Sequence, residues 1–150
     1  QHPQLRLCLM SDALADSDAQ AVPLGHVRAG SWVHGTLATW MGDAGKNRGW
    51  DLLVEAKHAV DAALAAGRFG AAERERILLQ LAHCESSDWF WWFGDYNPAE
   101  SVRDFDELYR HQLTSLYQLI GMTPPAALAQ RISIGRGTPE GGGVMRRAQS

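Results

Sequence analysis

Cysteine is scarce in this chain. Cys8 and Cys84 are the only two, far apart and in no metal-binding spacing. Two thiols make no disulfide framework, so a reducing compartment, the cytoplasm, is the expected location. An excess of charge of one sign is also lacking. The 14 Lys and Arg against 17 Asp and Glu leave a net charge of -3 and a pI near 6.0. Such a surface offers no electrostatic footprint for nucleic acid or for an anionic membrane. The apolar runs are too short to span a bilayer. No basic segment followed by an apolar run opens the chain, so no signal peptide is read. Neither nucleic acid nor a membrane is therefore an expected partner. The first residue is Gln1, and the chain is expected to be a piece of something longer.

Cofactor signatures are missing as well. There is no Gly-rich phosphate loop, no nucleophile elbow built on Ser and no dinucleotide fingerprint. His26, His34, His58, His83 and His111 show neither i, i+4 helical pairing nor a partnered Cys cluster. His83, Cys84 and Glu85 are adjacent and splay around a helix, so they do not converge on one ion. No metal and no cofactor are expected.

What remains is an ordinary globular composition. The 150 residues are 45% hydrophobic and 21% charged, enough for one domain with a real core. From Gln4 to Met10, apolar and polar residues alternate before the run turns apolar, which signals a short strand. A lone strand needs a partner, and no second convincing strand follows; a missing sheet or a dimer would supply one. Residues 11–31 are rich in Ser, Asp, Ala, Gly and Pro and read as a connection with room for one short helix. Leu53, Ala56, Val60, Ala63 and Leu64 recur at helical spacing, which predicts a helix over 48–66 stopped by Gly67. A second helix is expected from Ala71 to Phe93, with Ile77, Leu78, Leu81 and Cys84 on its apolar face. A third is expected from Val102 to Ile120. It carries the cleanest stripe, from Phe105 through Leu113 to Ile120, and is stopped by Gly121, Pro124 and Pro125. Residues 124–131 suit one further short helix. The fold class is thus mainly α: an N-terminal strand region over 1–10, a helical bundle over 11–134 and a flexible Gly-rich tail over 135–150.

The stretch from Glu85 to Trp92 carries the chemistry. On one continuous helix, Leu81, Glu85, Asp88 and Trp92 share a narrow sector, with Trp89 and Trp91 at its edges. Carboxylates on a buried face are costly unless paired or hydrogen-bonded, and three indoles in four residues are costly to leave wet. A sugar cleft resolves both demands. Indole faces stack on C–H surfaces, and carboxylates accept from hydroxyls. The other reading makes the indoles core and pairs Glu85 and Asp88 with Arg103, Arg110 or Lys57. A second cluster, from Gly30 to Gly42 with Trp32 and Trp40, reads either as a ligand-facing loop or as an aromatic plug of the bundle. Lys46 and Arg48 behind it read as solvated residues at a helix start or as ligand contacts.

At these residues the chain resembles glycoside hydrolase family 57. The matching stretches are Ala29 to Trp32, Thr39 to Gly42, Lys46 to Trp50, Glu85 to Asp95 and Phe105 to Arg110. The resemblance covers roughly residues 4–134. It implies an irregular (β/α)7 barrel followed by a helical bundle, and retaining hydrolysis or transfer of α-glucans by a Glu nucleophile and an Asp acid/base on the barrel. Residues 4–10 would then be a late strand of that missing barrel, a partner for the bundle. The barrel motifs with the catalytic pair are absent here. Retaining chemistry needs two carboxyl groups about 5–5.5 Å apart across the scissile bond. Glu85 and Asp88, one turn apart on one helix, do not flank a sugar from opposite faces. The resemblance therefore implies no catalytic residue in this chain. It implies an α-glucan or maltooligosaccharide held by Trp32, Trp40, Glu85, Asp88, Trp89, Trp91 and Trp92. The alternative is a stand-alone helical interaction module whose Trp cluster is a hot spot for a protein partner.

Overall fold

The computed structural model describes residue 5 and residues 7–16 and 22–138. Its helices are α1 (Met10–Ala15), α2 (Ala44–Ala65), α3 (Ala71–Cys84), α4 (Asp88–Trp92) and α5 (Ala99–Leu119), followed by a 3-10 turn over Ala126–Ala129. The mainly helical class holds. The chain forms a bundle in which α5 packs against α2, α3 and α4.

Local chemistry sets the helix ends. Asp43 accepts from the backbone amides of Gly45 (2.8 Å) and Lys46 (3.1 Å), a side-chain cap that satisfies two orphan donors. The cap moves the start of α2 four residues ahead of the expected 48. Glu73 reaches back to the amide of Gly70 at the head of α3. At the end of α5, the Gly121 amide donates to Gln118 and the Met122 amide to Tyr117, with Gly121 at a φ of 70°. This is a Schellman closure, which needs a residue that tolerates the left-handed region. α5 starts at Ala99, earlier than the expected 102, and the Pro98 carbonyl accepts from the Val102 amide.

The core runs along the facing sides of α2, α3 and α5: Leu52, Ala56, Val60, Ile77, Leu81, Leu113, Leu116 and Ile120. These are the apolar positions of the 3.6-residue pattern. α4 plugs one end with Trp89, Phe90 and the adjoining Phe93. Gly49 lets them in. A Cβ there would meet Phe90 at 3.2 Å and Phe93 at 3.3 Å. The Gly49 carbonyl accepts from the buried Tyr109 hydroxyl at 2.9 Å.

Three expectations change. The helix expected from Ala71 to Phe93 is two helices with a break at Glu85–Ser87. Ser86 contacts the amide and carboxylate of Asp88, the local bonding by which Ser and Asp compete with a helix. The Trp89 indole donates to the His83 carbonyl at 2.9 Å, which also accepts from the Ser86 amide at 3.4 Å, so the carbonyl near the helix end is satisfied across the break.

The strand expected at 4–10 is not formed among the described residues, which contain no β-ladder. Leu7, Cys8 and Leu9 are irregular and Met10 opens α1, while Gln4 and Arg6 lie outside the described residues. A strand needs a partner for its backbone groups, and no described segment supplies one.

Residues 135–137, expected to begin a flexible tail, are tied down. Arg136 donates to the Asp95 carbonyl at 2.7 Å and Gly137 to that of Asn97 at 2.9 Å, and Pro98 and Gly137 form an isolated parallel bridge. Glycine serves close approach here: a Cβ on Gly135 would stand 2.6 Å from the Asn97 oxygen. Asp106 of α5 holds the same strap. Fully buried, it accepts from the amides of Ile132 (2.7 Å) and Ser133 (3.0 Å) and from Arg110 (2.9 Å). Residues 139–150 lie outside the described residues.

Candidate functional site

A tight turn presents the first indole. Ser31 bonds through its amide and hydroxyl to the Thr36 carbonyl, and the Thr36 amide donates back to Val33. His34 and Gly35, at the tip, have φ of 51° and 67°, the positive pair of a type I′ turn. Val33 is buried and anchors the turn, while Trp32 beside it stands 73% exposed.

Trp32 meets two partly buried indoles, Trp40 and Trp91. Trp32 and Trp91 lie 6.1 Å apart at an interplanar angle of 8°. Trp40 is tilted against both, 6.5 Å from Trp32 and 5.8 Å from Trp91. Two segments that the sequence separates, the 31–42 loop and α4, thus build one indole platform.

The backbone beneath the platform is held by buried side chains. Lys46, fully buried at the start of α2, donates through Nζ to the Thr39 carbonyl and to the Tyr96 hydroxyl. It also lies over the Tyr96 ring at 4.9 Å. Burial lowers its pKa from the ordinary 10.5 to about 8, against an opposing pull from the Asp43 carboxylate. Burial likewise raises the Tyr96 phenol, helped by Asp43 and Asp95. One turn further along α2, Trp50 stacks on Phe90 at 3.8 Å and donates its indole N–H to the Trp40 carbonyl at 2.8 Å. Asn97, buried after α4, donates to the carbonyls of Trp91 (3.0 Å) and Trp92 (2.9 Å), caring for acceptors that a helix end leaves orphaned.

The seven residues singled out from the sequence divide accordingly. Trp32, Trp40 and Trp91 come together in the platform. Trp89 does not join them. It is 7% exposed and packs on Tyr109 at 5.4 Å and Phe105 at 6.1 Å. Trp92 is half-buried and stacks on Phe105 at 5.0 Å. Glu85 and Asp88 are both exposed and do not share the buried face expected of one continuous helix, because the break separates them. Among the described residues neither is ion-paired. Arg103 pairs with Glu100 and Asp104, Arg110 with Asp106, and Lys57 with Asp61. Asp88 sits three residues before Trp91 on α4, the spacing that places side chains on one helix face.

Lys46, Trp50, Tyr96 and Asn97 are the residues that the sequence reading did not assign to the site. Lys46 is not the solvated residue that its position at a helix start suggested. Asp43, the first-turn cap, was the local sign that α2 began early enough to draw Lys46 inside. The Tyr96 and Asn97 contacts had no local signal. The platform offers indole faces, that of Trp32 largely exposed, and the exposed Asp88 lies on the same short helix as Trp91.

Comparison with protein-family models, with curated proteins and with solved structures returned no match to this chain.

Proposed function

We propose that this chain is the helical, glucan-holding part of a retaining α-glucan-acting glycoside hydrolase or transferase of the family 57 type, and that it holds sugar without carrying the catalytic pair. The observation behind this reading is the convergence of Trp32, Trp40 and Trp91 within 6.5 Å of one another, with Trp32 left 73% exposed. An indole of ~150–250 Å² is costly to leave in water without a partner. Sugar C–H faces would cover it, and Asp88 and Glu85 would accept hydroxyl hydrogen bonds at the rim. Trp89 and Trp92 then pack on Phe105 rather than on the sugar.

The exposed apolar side chains of Leu5, Leu7, Leu9, Met10, Leu14, Val22, Leu24 and Val27 support a packing partner for this arm. In this reading the partner is the barrel, with residues 4–10 taking up strand pairing against it. The same arm favours the second reading, a helical module that binds a protein partner.

Titration with maltoheptaose, followed by Trp fluorescence, separates the two. The expected result is saturable quenching that weakens about tenfold in Trp32→Ala, the scale of one lost stacking contact of ~1.4 kcal/mol, with an unchanged melting temperature. A folded sample that ignores maltoheptaose overturns the glucan reading. Turnover of the sugar by the isolated chain overturns the claim that the catalytic pair lies elsewhere.

A further inference from the structure

Lys46 is a fully buried cation, and among the described residues no buried carboxylate pairs with it. Its desolvation is met by two acceptors from two different segments: the Thr39 carbonyl, one residue before Trp40, and the Tyr96 hydroxyl, on the turn that follows α4. The two acceptors belong to the segment that carries Trp40 and to the turn after the helix that carries Trp91; those two indoles meet as rings, at 5.8 Å. A ring contact allows sliding and tilting, whereas a charged hydrogen bond has a preferred direction and length. Leaving a buried ammonium short of one acceptor costs more than an ordinary lost contact. The segment around Trp40 and the turn after Trp91 are therefore held in one relative position by the ammonium between them.

We propose that Lys46 is the positioning residue of the indole platform, clamping the Trp40 segment to the turn after Trp91 through the Thr39 carbonyl and the Tyr96 hydroxyl. The clamp needs a compact donor with several N–H groups, which a methionine of similar reach does not supply. Its consequence for sugar binding rests on the function proposed above; its consequence for indole geometry does not.

Circular dichroism reads that geometry directly. Trp40 is tilted by 43° to Trp91 and by 50° to Trp32, so the wild-type protein should show an exciton couplet in the indole absorption region. Lys46→Met and Tyr96→Phe are compared with wild type for helix content, for the couplet and for maltoheptaose affinity. The expected result is retained helix content in both variants, a couplet weakened in Lys46→Met and less weakened in Tyr96→Phe, and an affinity about tenfold weaker in Lys46→Met, equivalent to ~1.4 kcal/mol. A wild-type protein without a couplet, or a folded Lys46→Met that keeps it unchanged, overturns the proposal. Should Lys46→Met not fold, an unchanged couplet in Tyr96→Phe overturns it and a reduced one supports it. A wild-type protein that shows the couplet but ignores maltoheptaose overturns the glucan reading alone, and the couplet of the variants still decides the clamp.

Discussion

Lys46 and Trp50, one turn apart on α2, donate to consecutive carbonyls of the preceding loop, those of Thr39 and Trp40. One helix face thereby grips the loop through two adjacent peptide groups. The Trp50 grip is separable from its packing. Trp50→Phe keeps an aromatic face against Phe90 but removes the N–H that reaches the Trp40 carbonyl. Urea denaturation should show a loss of about 1–2 kcal/mol, the range for one unmade hydrogen bond at a partly buried acceptor. A loss below the error of the measurement would show that water replaces the indole donor freely.

Asp106 should be among the most sensitive positions in the chain. Its carboxylate has no solvent exposure and takes three donors: two amides of the strap and Arg110. Asp106→Ala leaves all three short of a partner, and a destabilisation of roughly 3–5 kcal/mol is expected. Asp106→Asn keeps one oxygen acceptor and should cost less. Hydrogen exchange supplies the local readout, with the Ile132 and Ser133 amides losing protection in Asp106→Ala and keeping more of it in Asp106→Asn, because both donate to the same carboxylate oxygen. Unchanged protection there would contradict the pinning role.

Trp89 and Trp32 should separate stability from binding. Trp89 is packed on Tyr109 and Phe105 and its N–H is bonded to His83. Trp89→Ala should lower stability by roughly 3–5 kcal/mol, the range for a large aromatic removed from a core. Trp32→Ala removes an exposed ring and should leave the melting temperature nearly unchanged. Equal losses of stability in the two variants would mean that Trp32 is covered in solution.

The two thiols should react very differently. Cys8 is exposed and Cys84 is buried. Burial pushes the Cys84 thiol up to about 12, with a smaller push from Glu85 against a lowering hydrogen bond from Gln80. A thiol reagent at pH 8 should label one cysteine per native chain and two after denaturation. The linkage has a defined sign. The folded value lies above the unfolded one of 9.0, so the unfolded chain releases its proton first. The stability that Cys84 contributes is complete below pH 9 and declines as pH rises from there toward 12. The difference in stability between wild type and Cys84→Ala should shrink above pH 9. A difference that stays flat to pH 10.5 would place Cys84 in contact with water.

Much of this architecture is written in local pattern. The spacing of Leu53, Ala56, Val60 and Ala63 marks α2, and that of Tyr109, Leu113 and Leu116 marks α5; those side chains are the buried ones. Gly67 and Gly121 end helices where the sequence suggests. The Glu85–Ser87 break was less legible. Ser and Asp are tolerated on exposed helix faces, so their presence does not announce an interruption, and the shorter of the two hydrogen bonds to the His83 carbonyl forms only once Trp89 has turned inward. The strap over 135–137 is hard to read for a related reason. Glycine signals freedom in a chain by itself, but Gly135 allows the strap to lie against the backbone at Asn97.

The sequence by itself determined that this protein is a helical bundle with an uncommon concentration of indoles, because periodicity and capping act over a few residues. Only the tertiary structure decided which indoles meet and what holds them. Trp32 joins Trp91, Trp89 enters the core, and Lys46 bonds to Tyr96 fifty residues away. Those outcomes depend on which carbonyls and ring faces are left unmatched once distant elements have packed, and no local pattern encodes that remainder.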